Sequence, residues 1–191
     1  MKALVYTGPE QLEFGEVADP VPASGDALVK IDSVGICGSD MHAFLGHDER
    51  RPAPLILGHE TAGVVVSGKD EGRRVTINPL VTCGRCPACK SGRDNLCPTR
   101  QIISMPPREG GFAQYLAIPE ANLVTVPDGY SLEKACMAEP IACGWHAARL
   151  AETACGGVPP STPALGRGGG PRCLRAALSV RALGVEAVTG V

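Results

Sequence analysis

Four cysteines fall within fifteen residues, Cys83-Gly-Arg-Cys86-Pro-Ala-Cys89-Lys-Ser-Gly-Arg-Asp-Asn-Leu-Cys97, spaced C-x2-C-x2-C-x7-C. No other stretch constrains the fold so tightly, because a chain that gathers four thiols must wrap into a compact lobe there. Tetrahedral zinc takes four such sulfurs at about 2.3 Å, and short spacers let one loop supply them all. Two other readings compete. A disulfide framework needs an oxidising compartment, which nothing else in the chain suggests. An iron–sulfur cluster would match C-x2-C-x2-C-x3-C-P, and Pro98 does follow Cys97. The last spacer is too long for that pattern, however, and no second run exists. Zinc is therefore the expected occupant of Cys83, Cys86, Cys89 and Cys97.

The rest of the chain must provide a frame for that lobe. Its 191 residues leave room for one large domain or one and a fraction. A net charge of −2 lacks the basic footprint of a nucleic-acid binder. No apolar run approaches the roughly 20 residues of a membrane helix. Met1–Tyr6 reads as a strand and is too short for a signal-peptide core. The expectation is a cytoplasmic protein with reduced thiols and neither membrane nor nucleic acid as partner.

Twenty-four glycines, 17 prolines and only 4% aromatics predict many turns between short strands. Up to about residue 130 the β-prone runs are Lys2–Tyr6, Ala27–Ser33, Gly63–Val66, Arg74–Asn78, Phe112–Ile118 and Asn122–Val126. Turn signals such as Gly8-Pro9, Asp19-Pro20, Ser24-Gly25, Ser67-Gly68 and Asp128-Gly129 punctuate them. This spacing predicts a barrel or sandwich rather than βαβ units. Beyond Pro127 the character changes. Ser131–Ala138 and Ile141–Ala154 read as helices, with Pro140 suited to the first turn of the second. Cys155–Pro163 is a linker-like break, Leu174–Leu183 a further helix, and Val185–Val188 the start of a strand.

Two more clusters lie upstream of the lobe: Gly35-Ile-Cys37-Gly-Ser39-Asp40-Met-His42 and Gly58-His59-Glu60-Thr-Ala-Gly63. Together with the lobe and Ala138-Glu139-Pro140, they resemble the zinc-dependent medium-chain alcohol dehydrogenases, in particular the polyol and threonine dehydrogenase branch. The likeness covers about residues 1–155. It implies an α+β chain in which a GroES-like β-barrel catalytic domain, residues 1–140, precedes a Rossmann domain that begins at 141–191 and is incomplete. It also implies homo-oligomers for the full-length form.

A catalytic zinc keeps about three protein ligands and one open position. Cys37 and His59 offer soft and borderline donors, and the resemblance adds Glu60 as the third ligand, with Glu139 as a ligand or the group behind one. Asp40 resembles the carboxylate that receives the other ring N–H of a zinc-bound histidine and so fixes its tautomer. The implied reaction is Lewis-acid oxidation of a small-molecule alcohol, with hydride passing to NAD or NADP. Ser39 would take the hydroxyl proton first, and His42, three residues on, would carry it outward. Two zinc ions are expected, one catalytic and one structural. His47 and His146 receive no role, and Cys136, Cys143, Cys155 and Cys173 read as small buried hydrophobes. The loop Ile102–Glu109 reads either as a pocket wall for polar or acidic sugars or as a surface connection.

The cofactor half departs from the family pattern. A dinucleotide site needs an apolar strand, G-x-G-x-x-G, and a helix whose N-terminus meets the pyrophosphate. Gly168 and Gly170 match the first two glycines, but Cys173 stands at the third, and Gly166 and Arg167 interrupt the strand. Such an island of mismatch, with family-like sequence resuming at Ala176, is the pattern of a compensated pair of reading-frame shifts. An alternative expectation follows: an inactive fragment that binds zinc but not dinucleotide, its β domain trailed by a poorly packed helical tail.

Overall fold

The computed structural model describes residues 1–154, 156–157, 164–166, 171–183 and 188–190. The chain divides into two compact units, Met1–Met137 and Ala138–Val191.

The first unit is built on antiparallel strands. A hairpin of β1 (Lys2–Gly8) and β2 (Gln11–Glu16) leads to the long β3 (Asp26–Gly35), then a short helix α1 (Gly38–Phe44). β4 (Leu55–Ile56), β5 (Glu60–Ser67), β6 (Arg74–Ile77) and β7 (Leu80–Val81) follow. Next come the one-turn helix α2 (Pro87–Lys90), β8 (Gln101–Ile102), β9 (Tyr115–Pro119), β10 (Leu123–Thr125) and α3 (Leu132–Ala135). The main sheet has the order β10-β6-β5-β3-β9; a second has the order β2-β1-β4, and β7 pairs with β8.

Period-two alternation explains the core. Ala27 and Val29 of β3, Val65 of β5, Val75 and Ile77 of β6, and Leu116 and Ile118 of β9 point to one face and pack with Ile103. The opposite face of β5 carries Ala62 and Val64, which pack under Val126, Leu132, Ala135 and Cys136. That is why α3 lies where it does. Ser131 starts it, its hydroxyl oxygen accepting the Lys134 N–H at 3.2 Å. A third cluster of Tyr6, Ala43, Leu55 and Leu57 seats α1 against β1 and β4. Gly63 makes the centre of the sheet possible: any Cβ there would strike the Lys30 carbonyl oxygen across the β3–β5 ladder, with Val29 Cγ1 at 2.9 Å.

Several elements differ from the sequence-based expectation. β2 and α1 arise where the sequence predicts no element, and β9 starts at Tyr115 rather than Phe112. The helix expected over Ser131–Ala138 ends at Ala135, and the next, α4 (Ala138–Ala154), begins three residues before Ile141 with Pro140 in its first turn. Proline lacks only an N–H that the first turn does not use, so it favours this earlier start.

In the second unit, β11 (Ala164–Gly166), α5 (Pro171–Ala182) and β12 (Val188–Gly190) follow α4. β11 and β12 pair in parallel, Ala164 opposite Val188 and Gly166 opposite Gly190, with α5 as the crossover between them. Among the described residues, no helix is long and apolar enough to cross a membrane.

Candidate metal centres

The four-cysteine lobe closes over α2. Cys86 caps that helix through its sulfur, which accepts the Cys89 N–H at 3.4 Å, and Pro87 occupies the first position. The sulfurs converge: Cys86 to Cys89 is 3.4 Å, Cys83 to Cys97 is 3.6 Å and Cys83 to Cys89 is 4.0 Å. A tetrahedron with metal–sulfur bonds of 2.3 Å has edges of about 3.8 Å, so the spread fits one ion at the centre. A disulfide would need about 2.05 Å, and these cysteines are all free. Backbone N–H groups of Arg85 and Cys86 aimed at Cys83 push its thiol down to about 6, whereas burial and the Cys86 sulfur push the Cys89 thiol up to about 11.

A second set of donors gathers without any help from sequence proximity. Cys37 sits at the N-cap of α1, just past the end of β3, whereas His59 and Glu60 stand at the start of β5. The β3–β5 register sets Gly35 directly opposite Glu60. One ligand atom from each of Cys37, His59 and Glu60 falls within 4.8 Å of the others. His59 and Glu60 are buried and Cys37 is half-buried, so the set opens on one side. Sulfur, imidazole nitrogen and carboxylate together suit zinc with a vacant fourth position.

Asp40 ties the two segments together. Its Oδ2 accepts the Cys37 N–H at 2.9 Å and its Oδ1 accepts the Gly58 N–H at 3.1 Å. His59 Nδ1 lies 3.6 Å from Oδ1, an ion-pair distance rather than a hydrogen bond. The carboxylate thus holds the backbone that carries both ligands, while its Oδ1 faces the histidine ring.

Electrostatics favour a cation here. Burial, the largest influence on His59, opposes its charged form, yet Asp40 and Cys37 outweigh it and push the imidazole up to about 10. His59 in turn holds the Cys37 thiol down, with help from the Ser39 backbone and hydroxyl. Burial resists ionisation of Asp40, but His59 and the Cys37 N–H keep it below the ordinary carboxylate value. The same acidic neighbours that draw a proton onto His59 suit a divalent ion, which would take the proton's place on the ring.

The other expected site residues fall as follows. Ser39 is half-buried beside Cys37, and His42 is exposed in the last turn of α1. Glu139 lies in the first turn of α4, in the second unit, where an acid complements the helix dipole. Gly168 and Gly170 lie outside the described residues, as do Cys155 and the side chain of Cys173. Cys136 is buried, as expected, and burial raises its thiol pKa. Cys143 corrects the expectation of a buried thiol: it is exposed on α4, one turn from Glu139, whose Oε1 is 3.7 Å from its sulfur. The loop Ile102–Glu109 is tied down at three points. Glu109 Oε2 accepts the Ile56 N–H at 2.6 Å, Arg108 donates to Gln101 Oε1 at 2.7 Å, and Arg51 donates to the Ser104 carbonyl at 2.9 Å.

Two contributors escape sequence reasoning. Gly35 leaves the space that Glu60 fills, because a Cβ there would overlap Glu60 Oε2. Its signal is its place at the end of a β-run, two residues before Cys37, but the pairing register is needed to read it. Arg51 is buried against Asp48 and anchors the segment before β4. The Asp–x–x–Arg spacing is its only trace.

Residues 23–128 match the family model of the alcohol dehydrogenase GroES-like domain. The chain is 39% identical over 194 residues to L-galactonate-5-dehydrogenase of Escherichia coli, covering 98% of this chain and 55% of that protein. It is 37% identical over 197 residues to a sorbitol dehydrogenase of Bacillus subtilis, covering 98% and 54%. An Escherichia coli alcohol dehydrogenase solved with the cofactor NADH superposes with a TM-score of 0.86 at 30% identity, covering 100% of this chain and 56% of that one. The chain therefore spans about half the length of these relatives. With its cysteine lobe, its second donor set and a GroES-like domain at the centre of the match, the chain belongs to the zinc-dependent medium-chain alcohol dehydrogenases, in their polyol branch.

Proposed function

We propose that this chain forms the zinc-bearing half of an oxidoreductase that takes a hydride from a secondary hydroxyl of a polyol or sugar acid and passes it to NAD or NADP. The observation that carries this reading is the second donor set, Cys37, His59 and Glu60, built apart from the cysteine lobe and open on one side. The named dehydrogenases it resembles act on a sugar acid and a sugar alcohol by their names, which supports the substrate class.

In this reading Cys37, His59 and Glu60 hold one zinc. When bound, that ion supplies Lewis acidity toward the substrate oxygen. Asp40 holds the Cys37 and Gly58 amides and so keeps the donors in place. Ser39 accepts the hydroxyl proton and His42, exposed at the surface, hands it to water. The four-cysteine lobe holds a structural zinc. The second unit opens the dinucleotide domain, with Gly168 and Gly170 at the pyrophosphate.

One observation favours a second reading, an inactive fragment that holds zinc but not dinucleotide: Cys173 stands at the third glycine of the fingerprint, and Gly166 and Arg167 interrupt the strand before it. Calorimetric titration of the zinc-loaded chain with NAD and NADP separates the two. Saturable binding, followed by NAD(P)H absorbance with a panel of polyols and sugar acids, supports the oxidoreductase. Two zinc ions per chain without dinucleotide binding supports the fragment, and a chain that holds only one zinc ion overturns both.

A further inference from the structure

Two imidazoles outside both donor sets come close together. His42 lies in the last turn of α1, and His47 follows across a turn that the backbone closes. The Gly46 N–H donates to the Ala43 carbonyl at 2.8 Å and the His47 N–H to the His42 carbonyl at 2.9 Å. The ring centres stand 6.3 Å apart with the planes tilted by 54°. Both side chains are exposed, so either ring can rotate without disturbing the core.

That separation suits a shared ion. A metal–nitrogen bond of about 2.1 Å, plus about 1.1 Å from nitrogen to ring centre, puts each centre about 3.2 Å from the metal. The observed 6.3 Å matches a near-trans pair, with an angle of about 160°. Cis or tetrahedral ligation, at about 90–110°, needs about 4.5–5.2 Å, an approach of about 1–2 Å that exposed rings make by rotating. The neighbouring Asp48 carboxylate is already committed, to Arg50 at 2.8 Å and to Arg51. The donors on offer are therefore imidazole nitrogens, which select first-row transition ions such as Ni²⁺, Cu²⁺ and Zn²⁺ over Mg²⁺ or Ca²⁺.

We propose that His42 and His47 form a third cation site, which takes one divalent transition-metal ion through both rings. A consequence rests on the function proposed above: an ion held there occupies the imidazole assigned to proton release, so occupancy slows turnover. Binding itself does not depend on that assignment.

Calorimetric titration of the zinc-loaded chain with nickel(II) near neutral pH tests the site. One further equivalent is expected, weakened at least about tenfold by either His42→Ala or His47→Ala, because a lone imidazole loses its intramolecular partner. His47→Gln, which keeps the side-chain bulk, is expected to lose the same affinity, with circular dichroism and zinc content reporting an intact fold. His146→Ala, in α4, is expected to leave nickel binding unchanged. Equal nickel affinity in His47→Ala and the parent chain overturns the site, as does an equal loss in His146→Ala. Nickel binding through both histidines without slower turnover in the full-length enzyme leaves the site standing and removes the proton-release role of His42.

Discussion

Gly35→Ala tests the second metal centre without touching a ligand. Gly35 ends β3 directly opposite Glu60. A methyl there would overlap Glu60 Oε2 and stand 3.1 Å from Glu60 Cβ and 3.3 Å from Cδ. Opposed residues across a ladder normally keep their Cβ atoms about 4.5–5.5 Å apart. The glutamate side chain must therefore give by more than about 1 Å. It cannot do so in place, because Glu60 is only 2% exposed and Ala62 and Thr61 beside it are fully buried. Its carboxylate oxygen has to withdraw to a carbon–oxygen contact of about 3.3 Å or more.

Metal ligation tolerates displacements of about 0.2 Å, so the variant loses Glu60 as a donor and keeps Cys37 and His59. Removing a group that merely supports a ligand costs about 10–100-fold in affinity. Loss of a donor should reach at least the upper end, about 2.7 kcal/mol. Zinc release to a coloured chelator measures this, and the four-cysteine lobe is the control within the same molecule. Gly35→Ala is expected to speed release of one equivalent at least about 100-fold and leave the other unchanged. Two equivalents released as in the parent chain would refute the assignment of Glu60 as a ligand.

Gly63→Ala drives a methyl into the Lys30 carbonyl, with Lys30 C at 3.0 Å, and backbone cannot rotate away as a side chain can. Urea unfolding should show a loss of about 3 kcal/mol, whereas Gly15→Ala, with nothing within 4 Å of its new methyl, should stay within about 0.5 kcal/mol; similar midpoints for the two would sink the argument. Asp40→Ala orphans the Cys37 and Gly58 N–H groups, and two unmet donors should cost about 3 kcal/mol in thermal melts together with the zinc of the second centre. Asp40→Asn keeps one acceptor and should lose less, so equal losses would argue against the backbone role. Asp48 is held down at about 2, chiefly by Arg50. A depressed carboxylate contributes stability that is present above its unfolded value near 4 and lost as pH falls from about 4 to 2. Urea stability should accordingly fall more steeply over that window in the parent chain than in Asp48→Asn, and parallel curves would count against the ion pair.

The two centres differ in how far a sequence reveals them. The lobe is legible because its spacers are short: Cys83, Cys86, Cys89 and Cys97 can meet only nearby, and the sulfurs do converge. The second set is legible only through motif resemblance, since nothing in local spacing tells Cys37 that His59 is its neighbour. The main strands could be read from their alternation, as in Ala27, Val29 and Ile31 of β3. β2 could not, because its six residues are all exposed and bury no apolar face. α1 was hidden for another reason. Gly38, Ser39 and Asp40 have turn character, and the helix depends on Asp40 accepting the Cys37 N–H and on Ala43 burying against Tyr6, Leu55 and Leu57.

This dependence explains why Asp40 sits where it does. A helix of seven residues is too short to persist by itself, yet it must present Cys37 to a histidine from the segment just before β5. Asp40 meets both needs: one oxygen holds the start of the helix that carries Cys37, the other holds the Gly58 amide next to His59, and its charge faces the imidazole. Folding of α1 and assembly of the second donor set are therefore one event, whereas the cysteine lobe assembles within a single loop. Metal-free chain should then lose order at the lobe without disturbing α1, because α1 is held by a carboxylate and apolar contacts rather than by an ion. Hydrogen exchange at the Met41 and Leu45 amides, whose bonds run to Cys37 and Met41, reads this directly. Protection there that survives chelation, while the Lys90 and Cys97 amides exchange freely, fits the argument; collapse of both together contradicts it.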